Sequence, residues 1–270
     1  MRKPIENILT RVLKSALTKT SPEFSRLLFL EEKKKEQQNN FIHKFHEFNK
    51  HSGNYNQRFS LEEKDSAPLL DDDTGITTFD THYVYHPAWA ARIVKQINPA
   101  YHVDISSTLH FCSLLSAFIP VKFYDYRPAK LTLSDLESES ADLTKLHFPD
   151  NSITSLSCMH TIEHIGLGRY GDPMDYDGDL KAAAELSRVL APGGSLLMVT
   201  PVGKPKIMFN AHRIYAYRQV IEMFKDLELV EFSLVTDNAL NDGMTFNATE
   251  ELSDKQNYGC GCFWFKKKSE

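Results

Sequence analysis

The sequence predicts an α/β fold: a doubly wound, mostly parallel sheet with a helical extension before it. Three observations carry that expectation. From Phe79 onward, short strand-like apolar runs alternate with helical runs. The run "SLLMVTPVG" is apolar at successive positions, which suits a strand buried on both faces. Just before it, "DLKAAAELSRVL" places Ala183, Leu186 and Leu190 on one helical face and stops at "APGG".

The elements follow in order. Residues 3–18 set Ile5, Ile8, Leu9, Val12, Leu13 and Ala16 at helical spacing. After the break at Ser21-Pro22, residues 22–50 form a second helical stretch. Residues 1–50 carry a net charge of about +5 and the remainder about −10. A basic amphipathic extension of this kind suits packing on the main domain, on a second subunit or on a membrane surface. A homodimer through these helices is therefore one partner expectation. Residues 51–78, rich in Asn, Ser and Asp, read as a linker or flap. Residues 79–270 form the α/β domain. It begins with a helix over His86–Asn98 that turns Trp89, Ile93 and Ile97 inward, then a strand ending at Asp104. A helix ("TLHFCSLLSAF"), a strand ending at Asp125, an edge strand ending at Asp142 and the strand "SITSLSCM" come next. The helix Asp179–Leu190, the buried strand, a helix near Tyr215–Phe224 and strands near 227–234 and 258–265 complete the domain.

A formal charge of −5 argues against nucleic acid as the main partner. The four cysteines, Cys112, Cys158, Cys260 and Cys262, sit in apolar contexts and read as reduced thiols of a cytoplasmic protein. No apolar run approaches the roughly 18–20 residues of a membrane span, and no signal-peptide core follows the N-terminus.

The chemistry concentrates in Ser155–Asp172, "SLSCMHTIEHIGLGRYGD". A strand end runs into His160, Glu163, His164, Arg169, Tyr170 and Asp172, interleaved with Gly166, Gly168 and Gly171. Titratable groups on a loop past a strand's carboxyl end stand where open α/β sheets bind ligands. A solvated loop with turn glycines is the plain alternative.

From roughly Phe79 to Lys267 the chain resembles the class I, seven-stranded methyltransferases that use S-adenosylmethionine. "LSRVLAPGGSLLMVTPVG" looks like that superfamily's Pro-Gly-Gly turn and fifth strand, and "ADLTKLHFPDNSITSLSCMHTIEHI" like its third and fourth motifs. More narrowly, "EHIGLGRYGDP", "FNAHRIY" and "FDTHYVYHPAWAARI" resemble a family of methyltransferase-like proteins defined only as a domain of unknown function. The resemblance implies a Rossmann-like sheet of about seven strands with S-adenosylmethionine as cofactor. It places Asp104 near the methionine end, Asp125 on the ribose hydroxyls, and Asp142 with the Leu143 backbone on adenine. Capping of the following turn is the plain reading of each Asp. The chain departs from the pattern after Asp104. It reads "DISSTLHF", so Ser106 and Ser107 stand where a glycine-rich turn is usual, which serine can hold if its φ stays negative.

Transfer to a hydroxyl benefits from a base, and His160, His164 and His212 are the candidates, with Glu163 orienting one of them or binding substrate; a structural hydrogen bond is the plain reading of each histidine. Arg169, Tyr170, Asn210 and Arg213 would bind a small polar, anionic or carbohydrate-related acceptor, Lys204 and Lys206 lying nearby. The expected activity is O-methylation. The rival is a binding or scaffold protein that keeps the fold without the cofactor. His160 to His164 also fits the H-x-x-E-H pattern of inverted zinc peptidases, but its glycine-rich context does not suit the required helix, and no metal is expected. "DPMDYDGD" has neither the spacing nor the closing Glu of a calcium loop, and helix capping by Asp177 or Asp179 accounts for it.

Overall fold

A computed structural model describes residues 21–52 and 59–269. The helix expected over residues 3–18 lies outside the described residues. Two compact units divide the chain at Thr77/Thr78. The first contains helix α1 (Pro22–Ser52). A later stretch is tied to this helix, since Gln37 Nε2 donates to Leu70 O at 2.8 Å and Lys44 pairs with Asp73 at 3.1 Å. Leu27, Phe29, Leu30 and Phe48 are exposed along it.

The second unit opens with α2 (Thr81–Ile97), five residues earlier than the sequence indicated. Pro87 reads as a helix start, yet the cap is Asp80, whose side chain accepts from Tyr83 N at 3.2 Å. That extra turn adds His82 to the helix, one turn before His86. The chain continues through β1 (His102–Ile105), α3 (Leu109–Leu115), β2 (Val121–Asp125), β3 (Leu136–Ser140) and β4 (Ile153–Met159). It goes on through α4 (Gly178–Val189), β5 (Leu190–Val202), the hairpin β6 (Lys206–Met208) and β7 (His212–Ile214), and α5 (Tyr217–Met223). β8 (Leu227–Val235), α6 (Ala239–Asp242), β9 (Met244–Thr245), α7 (Glu250–Asp254) and β10 (Gly259–Lys267) follow. The hairpin, α6, β9 and α7 are too short for a periodicity to show.

The main sheet has the order β3-β2-β1-β4-β5-β10-β8-β9. β1 to β5 pair in parallel, whereas β10 is antiparallel to both β5 and β8. Seven of the eight strands match the expected count, and the eighth is the two-residue edge strand β9. Both faces are covered. On β5, Leu196 and Met198 enter a cluster with Ala182, Ala183 and Leu186 of α4, while Leu197 and Val199 enter one with Trp89 and Ile93 of α2 and Phe111 of α3. A strand packed on both sides has no polar alternation to show, which is why its sequence is a continuous apolar run. On β10, Cys260, Cys262 and Trp264 face α2.

The chain order reverses between β1 and β4, and a parallel sheet opens its ligand crevice at such a point.

Candidate active site at the strand ends

The two strands that flank this crevice both end in left-handed residues, Ser106 at φ +56° and His160 at φ +55°. The expectation of a negative φ at Ser106 is thus corrected. The serine adopts the conformation that a glycine would take there, at a cost of roughly 1–2 kcal/mol. Hydrogen bonds hold it: Ser106 N donates to Tyr124 O at 2.7 Å and Thr161 Oγ1 donates to Ser106 O at 3.0 Å. The Ser106 hydroxyl turns back to Tyr124 O at 3.3 Å. Ser107 Oγ accepts from Met159 N at 3.1 Å and so ties the β1 turn to β4.

Asp104 lies beneath this turn and is fully buried. Ser157 Oγ donates to its Oδ1 at 2.5 Å, and Ser157 in turn meets His102 Nε2 at 2.9 Å, whose Nδ1 meets Ser155 Oγ at 2.7 Å. Burial lifts the Asp104 carboxyl to about 7, against the pull of Ser107 and Ser157, and pushes His102 down to about 3. Asp104 is therefore set to position the turn from below.

Above the turn is a cavity of about 620 Å³, within the usual range for small-ligand sites. Its walls include Ser106, His160, Glu163, His164, Arg169, Tyr170 and His212, seven of the expected residues. They come from the turn after β1, the loop after β4 and the β6–β7 hairpin. His160 Nδ1 and Glu163 Oε1 are 2.8 Å apart, with side chains 3% and 1% exposed. Burial opposes an imidazolium at His160, but Cys260 and Glu163 outweigh it and raise the ring to about 10. His164 differs. Its Nδ1 meets Ala211 O at 2.6 Å, a carbonyl that can only accept, and its Nε2 stands 3.9 Å from Glu163 Oε1. Arg169 shares Ala211 O, at 3.1 Å. His212 Nε2 is buried without a partner among the described residues, and burial lowers this ring.

A smaller hollow of about 100 Å³ adjoins the cavity and shares Ser106, His164 and Tyr170 with it. Asp142 and Leu143 line it, together with Tyr126 and Asp172. Asp142 Oδ1 is engaged by Thr144 N and Oγ1 at 2.8 and 2.7 Å. Asp125, at the end of β2, accepts from Arg127 N at 2.6 Å through Oδ1 and lines neither space. The Tyr170 ring is flanked by two guanidiniums, Arg127 at 4.8 Å and Arg169 at 5.1 Å.

Arg213 is not at this cavity. It is buried, donates to Ile165 O at 2.7 Å and Tyr176 O at 3.0 Å, and pairs with Asp179 at 3.5 Å. Asp179 also accepts from Tyr215 Oη at 2.9 Å, so it serves this knot rather than a helix cap, and Asp177 makes no side-chain cap bond. The arginine thus fastens the glycine loop to the hairpin and borders a separate cavity with Lys206. Asn210 is exposed at the hairpin tip. Lys204 is exposed as well.

Sequence reasoning passed over Tyr83, Thr108, His110 and Tyr258, which also line the main cavity. It likewise passed over His82, His86 and Cys260 behind His160. The one available signal was His82 and His86 four residues apart, one helical turn, once the helix is begun at Asp80.

Residues 135–258 match the family model described as "Caenorhabditis protein of unknown function, DUF268". No curated protein matches the chain in sequence. Among solved structures it is similar to the 1,6-didemethyltoxoflavin-N1-methyltransferase of Burkholderia thailandensis, solved with 1,6-didemethyltoxoflavin and S-adenosylhomocysteine. That likeness has a TM-score of 0.50 at 10% identity over 68% of this chain and 78% of the other. The N-methyltransferase NodS of Bradyrhizobium japonicum WM9, in complex with S-adenosylhomocysteine, gives 0.46 at 13% identity over 67% and 85%. The TehB-like methyltransferase of Corynebacterium glutamicum gives 0.45 at 17% over 68% and 89%. With its strand order, its covered sheet faces and the likeness at 0.50, the chain has the Rossmann-like α/β fold of that N1-methyltransferase.

Proposed function

We propose that the chain is an S-adenosylmethionine-dependent methyltransferase acting on a hydroxyl oxygen of a small polar acceptor. The observation that supports this most is the pair of adjoining spaces at the strand-order reversal, sharing Ser106, His164 and Tyr170. The residues present fit the cofactor. The left-handed Ser106 keeps the turn tight with its hydroxyl engaged by Tyr124 O, and Asp142 with the Leu143 backbone lines the narrow end. Asp125 lies outside both spaces, and its Oδ2 is the carboxylate oxygen left for a ribose that extends past them toward the end of β2, since Oδ1 holds Arg127 N. When bound, the cofactor supplies a methyl group on a sulfonium centre.

The chain's own residues then prepare the acceptor. His164 is the base of choice, because its Nδ1 is committed to Ala211 O and Nε2 is the ring nitrogen left to meet an acceptor. It takes the hydroxyl proton at Nε2, and Glu163 Oε1 at 3.9 Å offers the opposite charge once the ring carries it. His160, buried and paired with Glu163, orients that carboxylate. Arg169 and Tyr170 bound the acceptor space and favour an anionic or sugar-like molecule, where a guanidinium and a ring face both find partners.

Titration calorimetry with S-adenosylhomocysteine tests the reading. Wild type should bind at one site, and Asp125→Ala should weaken binding by roughly 1.5–3 kcal/mol, the scale of a charge-assisted hydrogen bond. No binding at millimolar ligand would leave the rival reading, a methyltransferase-fold binding protein. The serines in the cofactor turn favour that rival, because a side chain there narrows the approach to the backbone.

A further inference from the structure

Behind the cavity wall, the extra first turn of α2, the end of β4 and the start of β10 bring His82, His160 and Cys260 together. One ligand atom from each lies within 4.8 Å of the others, and all three residues are buried. This is a different set from the loop trio His160, Glu163 and His164, in which His164 Nδ1 is spent on Ala211 O.

Two further observations mark the cluster as more than a packed core. His160 Nε2 and His86 Nε2 are buried polar atoms with no hydrogen-bond partner among the described residues, and leaving such atoms unpaired costs roughly 1–3 kcal/mol each. The opposite nitrogens are anchored, His160 Nδ1 on Glu163 Oε1 at 2.8 Å and His86 Nδ1 on His82 O at 2.7 Å. A carboxylate or a carbonyl on one ring nitrogen is the arrangement that presents the other as a metal ligand. The three rings pack on one another, with His82 stacked on His160 at 5.5 Å and His86 edge-on to it at 5.1 Å.

We infer that His82, His160 and Cys260 form a binding site for one zinc-like divalent ion. Two imidazoles and a thiol match that ion's donor preference. Bonds of about 2.0–2.3 Å would draw the ligand atoms inward from their present spacing by roughly 1 Å. Binding releases two protons to solvent, the thiol proton of Cys260 and the imidazolium proton of His160, because both must be deprotonated to ligate. The ion would clamp α2 and β10 to the strand that carries His160. It stands at the wall of the acceptor cavity that His160 lines, and its test reads metal content rather than the transfer reaction proposed above.

The test uses the full chain without a histidine tag, loaded with zinc, desalted, and assayed by mass spectrometry for metal. About one equivalent is expected in wild type and in His164→Ala, and less than about a fifth in Cys260→Ser and in His82→Ala, since stable sites need at least three protein ligands. Cobalt loading of wild type should give a thiolate-to-cobalt charge-transfer band that is absent in Cys260→Ser. That measurement stands even if His82→Ala fails to fold. Wild type without retained metal would overturn the inference. So would metal that survives Cys260→Ser, or metal lost in His164→Ala.

Discussion

Ser106 carries a side chain in a conformation made for glycine, and that gives a direct test of what the turn costs. Ser106→Gly should stabilise the protein by about 1 kcal/mol in urea unfolding, by releasing left-handed strain. It should also leave S-adenosylhomocysteine affinity equal or higher. A loss of stability would show that the Ser106 hydroxyl bond to Tyr124 O outweighs the strain. Asp104 offers a second residue-scale test, through pH. An unfolded aspartate ionises near 3.9, whereas the buried one holds its proton to about 7. Between these values the native state binds the extra proton, so stability falls as pH rises, by up to about 4 kcal/mol. Asp104→Asn removes the group. Its stability relative to wild type should therefore climb between pH 4 and 7 and level off above. A difference that does not change with pH would mean that Asp104 ionises normally. His164→Ala should abolish turnover while cofactor affinity stays within about threefold, under 0.7 kcal/mol, in a paired activity and calorimetry experiment.

At the scale of elements, the loop after β4 is held in shape by one arginine and one glycine. Arg213 gives its guanidinium to two carbonyls of that region and to Asp179, and both Arg213 and Asp179 are buried. Arg213→Ala should cost roughly 3–5 kcal/mol, because Asp179 is left buried without its counter-charge. Arg213→Lys should recover only part of this, since one ammonium cannot span the same acceptors. An Arg213→Ala protein of wild-type stability would return the residue to acceptor binding. At Gly166, φ is +78° and a Cβ would stand 2.0 Å from Asp175 O, so the close approach requires glycine. The loop's composition made its irregularity legible. Which cation was structural depended on contacts 34 to 50 residues away in sequence.

For the molecule as a whole, the described residues before Thr78 and those from Thr78 on form separate compact units, and the second has its own two-sided core. A fragment starting at Thr78 should unfold cooperatively and bind S-adenosylhomocysteine as the full chain does, by thermal melting and calorimetry. Sedimentation of the full chain and the fragment side by side tests the proposed dimer, which requires the full chain alone to be heavier than a monomer. Among the described residues no helix is long and apolar enough to cross a membrane. The sequence by itself determined the alternation of strands and helices, because burial on one or two faces writes a periodicity into each element. It also determined that polar groups crowd past the fourth strand. Tertiary structure decided that His164 Nδ1 meets the Ala211 carbonyl, and that Arg213 is a fastener. It also decided that His82 and Cys260 stand beside His160. These depend on hydrogen-bond partners and neighbours brought from other elements, and local sequence patterns carry no record of such distant pairings.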